Sequence, residues 1–534
     1  MSTVTCTIDG VSVTVEKGTT ILEAARTVGI EVPHFCYHPA LSIAANCRMC
    51  LVHVEKARNP LPACHATVAD GMVVDTASEK TKHLQEAVLE FILVNHPVDC
   101  PVCDQAGECR LQDYYRDYSA RPSRLDVPKV GKPKAKPLGP NVILDAERCI
   151  LCTRCVRFTE EISKDFQLQT IGRGNHTEID TFPGTEFDSA YSLNTVDICP
   201  VGALTSRDFR FKKRVWLLSR HETVCAGCAR GCASFVDHAD NTVYRYVPRY
   251  NPYVNDHWMC DAGRLRFHEL QDHRLRSVMN RDAKGDAEPS VGETLERIAE
   301  ALRLTENGRL GILLSPSLSN EDIYALRRFG KEAMGARFYV GGRAPGDADE
   351  ILVMADKNAN RLGLETLVSK AALKSLDALA KDLGSGAIDV LLIAGEHELS
   401  DAVIEAIDKA AHVVALTNLD APWLRAVDRV LPTPQTFEYD GTYVSATGRV
   451  QRFERGVQPG PSVKPAWELV CKLAKLYGYA DLDFASVRSI FKEISLGEAA
   501  FRGMNWKALR PFGAQLAGVA ETMSPTIHAR AGKH

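Results

Sequence analysis

The sequence has little net charge, no long apolar run and, over half its length, almost no cysteine. Lys and Arg total 64 against 68 Asp and Glu, a net charge of −4 over 534 residues. A general nucleic-acid binder carries a strong basic excess, so that class is excluded. The longest unbroken apolar stretches, such as Val390 to Ala394, are strand-sized. A membrane-spanning helix needs roughly 18–20 such residues, so no direct membrane span is expected. No positively charged apolar leader opens the chain, because strand-type alternation begins at about Thr3; a secretory signal is therefore not expected. No Gly-x-Gly-x-x-Gly follows a strand in the second half, which leaves dinucleotide binding there without support. What the sequence does have is cysteine: 16 of its 17 fall in residues 1–260, and Cys471 stands alone afterwards. Reduced intracellular thiols do not form structural disulfides, so metal binding is the first hypothesis.

At roughly 100–200 residues per domain, the length predicts three to five domains. Residues 3–15 alternate around Asp9-Gly10, a hairpin signal. A short helix follows with Ile21, Leu22, Ala25 and Val28 on one face and Gly29 as its stop. Residues 79–94 read as an amphipathic helix with Leu84, Val88, Phe91 and Ile92 as its apolar stripe. The run Val127 to Pro140, rich in proline and lysine, reads as an extended, solvated linker. Beyond about residue 275 strands and helices alternate: strand Leu310–Leu314, helix Asn320–Met334, strand Arg337–Val340, strand Val390–Ala394, a helix Ser400–Ala410 capped by Ser400, and strand Val413–Thr417. That succession predicts a parallel α/β sheet.

Fifteen cysteines fall into four groups. Cys36, Cys47, Cys50 and Cys64 form the first, which resembles, with altered spacing, the plant-type arrangement of four thiolates around a 2Fe–2S cluster. A structural zinc site is the alternative, although zinc usually pairs two closely spaced knuckles and only Cys47-x2-Cys50 is one. Cys100, Cys103 and Cys109 form the second and leave a cubane one ligand short. His96 stands at a helix exit in position to supply it; spacing alone leaves it open between ligand, packing and surface roles. Gly107 reads as a point where backbone approaches the cluster. The third group is Cys149, Cys152 and Cys155, then Cys199-Pro200. Set against a two-cluster ferredoxin repeat, it keeps one complete 4Fe–4S set, while Thr159, Ser189, Ser192 and Thr195 stand where the other set would be. The fourth is Cys225, Cys228, Cys232 and Cys260, again 4Fe–4S in type, with zinc as its competitor. Cys6, in line with Val4 and Ile8, and Cys471, in line with Trp467, Val470 and Ala474, read as structural.

This order of cluster motifs resembles the large iron–sulfur subunit of respiratory complex I. The local wording agrees in Asn46-Cys-Arg-Met-Cys50, in Cys100-Pro-Val-Cys-Asp-Gln-Ala-Gly-Glu-Cys-Arg-Leu-Gln-Asp113 and in Cys149-Ile-Leu-Cys-Thr-Arg-Cys155. The likeness is close over about residues 1–265 and looser afterwards, where Asp440 to Arg452 looks like a stretch of molybdopterin-type domains. The resemblance implies a multidomain α+β and α/β fold: a ferredoxin-like (β-grasp) 2Fe–2S domain over 1–78, a one-histidine-three-cysteine 4Fe–4S domain and linker over 79–142, and a ferredoxin-like 4Fe–4S domain over 143–217. A molybdopterin-oxidoreductase-type 4Fe–4S segment over 218–275 and an α/β scaffold with a C-terminal tail over 276–534 follow. It implies that His96 completes the second set, so that the chain carries one 2Fe–2S and three 4Fe–4S clusters. It further implies electron transfer without bond chemistry or catalytic residues in this chain. The electrons come from an NADH-oxidising flavin subunit and its 2Fe–2S companion. They pass through the first, third and second sets to membrane-proximal iron–sulfur subunits and quinone, and the whole complex translocates protons. The fourth cluster lies off that line and favours a bacterial source, hence the cytoplasmic side of an inner membrane, in a peripheral arm. The second half departs from the pattern: about 260 residues with one cysteine are too few for a pterin cradle, so no molybdopterin is expected. The same module in a NAD-linked hydrogenase or formate dehydrogenase is the alternative.

Overall fold

The computed structural model describes residues 2–119, 122–281 and 289–527, which form two compact units divided after Leu218. Residues 528–534 of the expected C-terminal tail lie outside the described residues.

In the first unit, strands Thr3–Ile8 and Val11–Glu16 pair around Asp9 and Gly10, whose φ values of 47° and 82° make the tight turn expected of Asp-Gly. They join Val73–Asp75, Leu51–Val54 and Leu61–Pro62 in a five-stranded sheet. Cys6, Ile8, Ile21, Leu22, Val52 and Val74 fill its core. Helix Ile21–Thr27 starts at Thr20, whose hydroxyl accepts from Glu23 N, and buries Ala24 where the sequence stripe pointed to Val28, which is 36% exposed at the helix end.

Two expectations are corrected here. Helix Glu79–Leu93 buries Thr81, Gln85 and Leu89, not the stripe Leu84, Val88, Phe91 and Ile92; Phe91 is 79% exposed. The polar face turns inward because Gln85 Nε2 donates to Leu51 O at 3.2 Å, tying the helix to the sheet. The apolar stripe is left to line a groove described below. The lysine-rich run 127–140 is extended but not a solvated linker. Lys129 Nζ donates to Leu93 O (2.8 Å) and His96 O (2.6 Å), and Lys132 Nζ to Thr177 O. Lys134 pairs with Glu147 at 2.6 Å, and Lys136 with Asp180 at 2.5 Å. Lysines spaced two or three apart on an extended strand reach several neighbours at once, so the segment fastens the domains on either side of it. Strands Leu204–Ser206, Val142–Leu144 and Lys136–Pro137 then form a small sheet beside helices Arg154–Glu161 and Asn194–Ile198.

The second unit opens with an antiparallel sheet of Ser219–Val224, Ala233–Ala239 and Thr242–Pro248. Its centre is a seven-stranded sheet in the order Met279–Asn280, Arg429–Pro432, His412–Thr417, Val390–Ala394, Leu310–Leu314, Arg337–Val340 and Leu373–Lys374. Every pairing is parallel except at the Met279–Asn280 edge. Leu310–Leu314 and Val390–Ala394 are buried at every residue, as continuous apolar runs in a helix-covered parallel sheet must be. The helix expected over Asn320–Met334 is α-helical only to Arg328 and continues as a π-turn over Phe329–Ala333. Gly330 lies in that turn, where an added Cβ would meet Ile312 Cδ1 at 2.5 Å; the wider turn accompanies a close helix–sheet approach. Ser400 precedes helix Asp401–Ile407 as expected, but its hydroxyl accepts no capping bond. Strands Gly441–Val444, Arg449–Phe453 and Ala514–Gln515 carry the Asp440 to Arg452 stretch. Cys471 lies half-buried in helix Ala466–Tyr477 against the core.

Candidate iron–sulfur centres

The first set is gathered by loops around the five-stranded sheet. Cys50 leads into Leu51–Val54, Cys64 follows Leu61–Pro62, and Cys36 N donates to Cys47 Sγ at 3.4 Å. Arg48, inside the Cys47–Cys50 turn, has φ 59°, a left-handed backbone that lets both thiols face one point. The Cys36 thiol contacts those of Cys47 and Cys64, and Cys64 contacts Cys50. Accepting those bonds drives Cys36 down to about 2 and lowers Cys50, while Cys47 and Cys64 are raised as the donors. The four thiols thus lie in one chain of mutual contacts.

His96, Cys100, Cys103 and Cys109 line one cavity, so the fold brings the histidine beside the three cysteines. Burial drives the His96 imidazole down to about 4, leaving it neutral, the form a metal ligand needs. Its Nδ1 accepts from Val98 N at 3.1 Å, and Val98, a β-branched residue, sits at φ 52°. The role expected of Gly107 is corrected. With φ 90° it needs no side chain, but a Cβ there would meet Trp216 and Val215, not a ligand. The glycine against a ligand sulfur is Gly202, where a Cβ would fall on Cys103 Sγ.

Cys149, Cys152, Cys155 and Cys199 line a second cavity. Leu151 and Thr153 between them take φ values of 53° and 59°. Burial pushes Cys149 up to about 12 and Cys152 to about 11, so these thiols ionise only against a cation or a metal. The residues at the other ferredoxin set bond within the chain instead. Thr159 Oγ1 donates to Val156 O (2.9 Å), Thr195 Oγ1 to Ser192 O (2.7 Å), and Ser189 Oγ accepts from Tyr191 N (3.3 Å).

The three sets adjoin within the unit. Arg157 Nη2 donates to both Cys36 O (2.6 Å) and Cys152 O (3.3 Å), and Asn46 Nδ2 to Leu151 O (3.1 Å), joining first to third. Gly202 against Cys103, and Cys109 Sγ donating to Pro200 O at 3.7 Å, join third to second. One groove is lined by a ligand of each set, Cys47, Cys149 and His96, with Val88, Phe91 and Ile92 on its wall.

The fourth set lies in the second unit. Cys225 ends strand Ser219–Val224, its N–H donating to Cys232 O, and Cys260 caps helix Asp261–Leu265 through Gly263 N. Cβ atoms at Gly227 and Gly263 would meet Cys225 Sγ at 3.3 and 2.9 Å. The loop is held by the α/β region: Ala229 N donates to Asp356 O, Arg343 Nη1 to Gly227 O, and Gln451 Nε2 to Gly231 O. Sequence reasoning missed the clamping arginines, Gly202 and the strained loop residues. The arginines alone left a signal, two of them flanking Cys155 in the third motif.

Fold and sites define a protein of several iron–sulfur domains followed by a molybdopterin-oxidoreductase-type domain. Family models match residues 1–79 as a 2Fe-2S iron-sulfur cluster binding domain and 85–124 as the NADH-ubiquinone oxidoreductase-G iron-sulfur binding region. They match 139–205 as the ferredoxin-like domain of NADH-quinone oxidoreductase subunit 3, and 343–476 as molybdopterin oxidoreductase. Among curated proteins the chain is 42% identical to the G subunit of NADH-quinone oxidoreductase from Streptomyces coelicolor, over 62% of this chain and 40% of that one. It is 38% identical to the G subunit of the Mycobacterium tuberculosis enzyme over 70% of this chain and 46% of that one. It is 46% identical to the NADH-ubiquinone oxidoreductase 75 kDa subunit of Reclinomonas americana over 51% of this chain and 39% of that one. These matches relate the chain to the G, or 75 kDa, subunits of NADH-quinone oxidoreductases, and they span less than half the length of those relatives. A solved chain of a NAD+-reducing nickel–iron hydrogenase matches at 28% identity over 40% of this chain and 92% of that one; its TM-score of 0.37 supports no statement about fold.

Proposed function

We propose that this chain is the iron–sulfur electron-transfer subunit of an NADH:quinone oxidoreductase in the peripheral arm of a membrane complex, on the cytoplasmic side of a bacterial membrane. Cys36, Cys47, Cys50 and Cys64 hold a 2Fe–2S cluster. His96 with Cys100, Cys103 and Cys109 holds a 4Fe–4S cluster, and so do Cys149, Cys152, Cys155 and Cys199, and Cys225, Cys228, Cys232 and Cys260. Electrons enter from a flavin subunit and its 2Fe–2S companion, pass first set to third to second, and leave for membrane-proximal iron–sulfur subunits. The observation that carries this reading is the adjacency of the three sets, first to third through Arg157 and third to second through Gly202. The clusters supply one-electron redox capacity; the chain supplies ligands, burial and hydrogen bonds, which set each potential.

The fourth centre and the α/β region are assigned a stabilising role without molybdopterin. In open α/β sheets ligands bind beyond the carboxyl ends of the strands. Here side chains of this chain occupy part of that place, which supports the reading without a pterin. His397 Nδ1 accepts from Gly342 N at 3.1 Å, and Trp423 Nε1 donates to His397 O at 3.0 Å. Cβ atoms at Gly341 and Gly342 would meet His397 Nδ1 at 2.6 Å and Asn358 Oδ1 at 2.5 Å. Metal analysis of the purified chain with paramagnetic resonance during a redox titration tests both readings. Four clusters give about 14 irons per chain. A colourless zinc protein defeats the first reading, and stoichiometric molybdenum or tungsten the second.

A further inference from the structure

Two buried arginines stand between the first and third sets without a counter-ion. Arg154 and Arg157 are 7% and 8% exposed. Arg154 lines the cavity of the third set; its Nη1 donates to Ile198 O at 3.0 Å and its Nη2 to Tyr37 O at 2.5 Å, while its Nε is buried with no hydrogen-bond partner. Arg157 donates to Cys36 O, Cys152 O, Ser42 O and, at 3.3 Å, Thr153 Oγ1. Every one of these acceptors is neutral. Among the described residues neither guanidinium has a carboxylate within ion-pair distance. The arginines beside the other 4Fe–4S sites do: Arg148 pairs with Asp99 at 2.6 Å, and Arg266 with Glu396 at 2.5 Å.

A buried cation without a counter-charge is strongly unfavourable, and so is a buried N–H without an acceptor. Both conditions are met at once if the cavity of the third set holds a thiolate-ligated cluster, which is anionic and rich in sulfur acceptors. We propose that Arg154 sets the potential of the third centre: its Nε–H donates to a sulfur of that cluster, and its uncompensated charge favours the reduced form. Reduction adds one electron to an already anionic group, so a fixed cation and a hydrogen bond both raise the potential. Arg157, which bonds the main chain of both sets, supports the same charge balance and fixes their spacing. The proposal rests on the reading that this cavity holds a 4Fe–4S cluster.

The test is a redox titration of the full chain with its clusters in place. Arg154→Gln is expected to lower the equilibrium constant for reducing the third centre at least tenfold, about 59 mV for a one-electron couple. Iron content and the second centre's midpoint stay unchanged. Arg154→Lys, which keeps the charge but not the Nε donor, is expected to shift it by less. Arg154→Gln with full iron and an unmoved midpoint overturns the proposal. Should that variant lose its cluster, unaltered protein labelled with 15N at arginine Nε decides. The third centre's paramagnetic signal is expected to carry coupling to that nitrogen, and a clear signal without it overturns the proposal. Absence of any 4Fe–4S signal that Cys152→Ala removes would instead overturn the functional reading, and this proposal with it.

Discussion

Gly202 offers the sharpest test of the second centre, because the change needed is one methyl group. A Cβ added there falls on Cys103 Sγ and lies 3.1 Å from Gln105 Cβ. The backbone of Gly202 does not take a left-handed φ, so alanine costs nothing by conformation and the effect is steric. A flexible neighbour could move aside; a cysteine fixed by a metal cannot. Overpacking of this kind costs about 1–3 kcal/mol. At 1.4 kcal/mol per factor of ten, that weakens cluster retention roughly 5- to 150-fold. Gly202→Ala is therefore expected to lose the second centre's four irons on mild chelation while the first and third centres stay. Gly107→Ala is the control. It costs about 1–2 kcal/mol for a left-handed φ, and the side chains it meets, Val215 and the 61% exposed Trp216, belong to no cysteine set. Gly107→Ala should lower the melting temperature and keep its irons. The assay is iron quantification with paramagnetic resonance after graded chelation. Gly202→Ala retaining the second centre as well as the unaltered protein does would refute the reasoning.

Three further outcomes are expected. His96→Cys exchanges a neutral imidazole for an anionic thiolate, so the second centre's midpoint should move downward; a redox titration showing it unchanged or higher counts against the ligand-charge argument. Cys228→Ala should reduce assembly or thermal stability more than turnover, and a selective loss of turnover at normal assembly would place the fourth centre on the electron path. Glu321 is fully buried, accepts from Thr442 N (2.9 Å) and Thr442 Oγ1 (2.8 Å), and burial pushes its carboxyl up to about 8. A carboxyl whose folded value is raised binds its proton more tightly in the folded state. Its contribution is complete below the unfolded value near 4.5 and is lost as pH rises through about 8. Glu321→Gln should flatten the fall of melting temperature between pH 5 and 9, and an equal fall in both proteins would remove Glu321 as its source.

What was legible in the sequence was whatever depends on local spacing. Asp9-Gly10 announced its hairpin, and the all-apolar runs Leu310–Leu314 and Val390–Ala394 their central places in a parallel sheet. The cysteine groups were legible because most of their thiols stand at short offsets, and the fold lines one cavity with Cys149, Cys152, Cys155 and Cys199. What stayed hidden depends on partners far along the chain. The stripe Leu84, Val88, Phe91 and Ile92 has perfect helical spacing, yet Gln85 faces inward because Leu51 O, 34 residues away, awaits a donor. The lysines of 127–140 read as solvated because their acceptors, from Leu93 to Asp180, lie on other elements. Gly202 carries no local mark, since its neighbour Cys103 belongs to a different motif. Backbone strain was equally invisible: Val98 and Thr153 are β-branched residues that avoid positive φ, and they take it only inside ligand loops.

That strain and the clamping of the fourth loop point to one account of the cysteine-poor half. A loop carrying Cys225, Cys228 and Cys232 has few apolar residues of its own, so it cannot hold four thiols at cluster geometry unaided. It is held by bonds from residues more than 100 positions away: Asp356 to Ala229, Arg343 to Gly227, Arg230 to Leu352 and Gln451 to Gly231. The donors and acceptors come from the loop between strand Arg337–Val340 and helix Arg361–Val368 and from the strand Arg449–Phe453, whose flanking elements pack into the apolar core between the sheet and its helices. The ordering role proposed for the α/β region accounts for these bonds without a substrate. Beyond the strand ends His397 accepts from Gly342 N, Trp423 donates to His397 O and Asn358 accepts from Arg343 N. Loosening those bonds is expected to disturb the fourth centre before any of the other three.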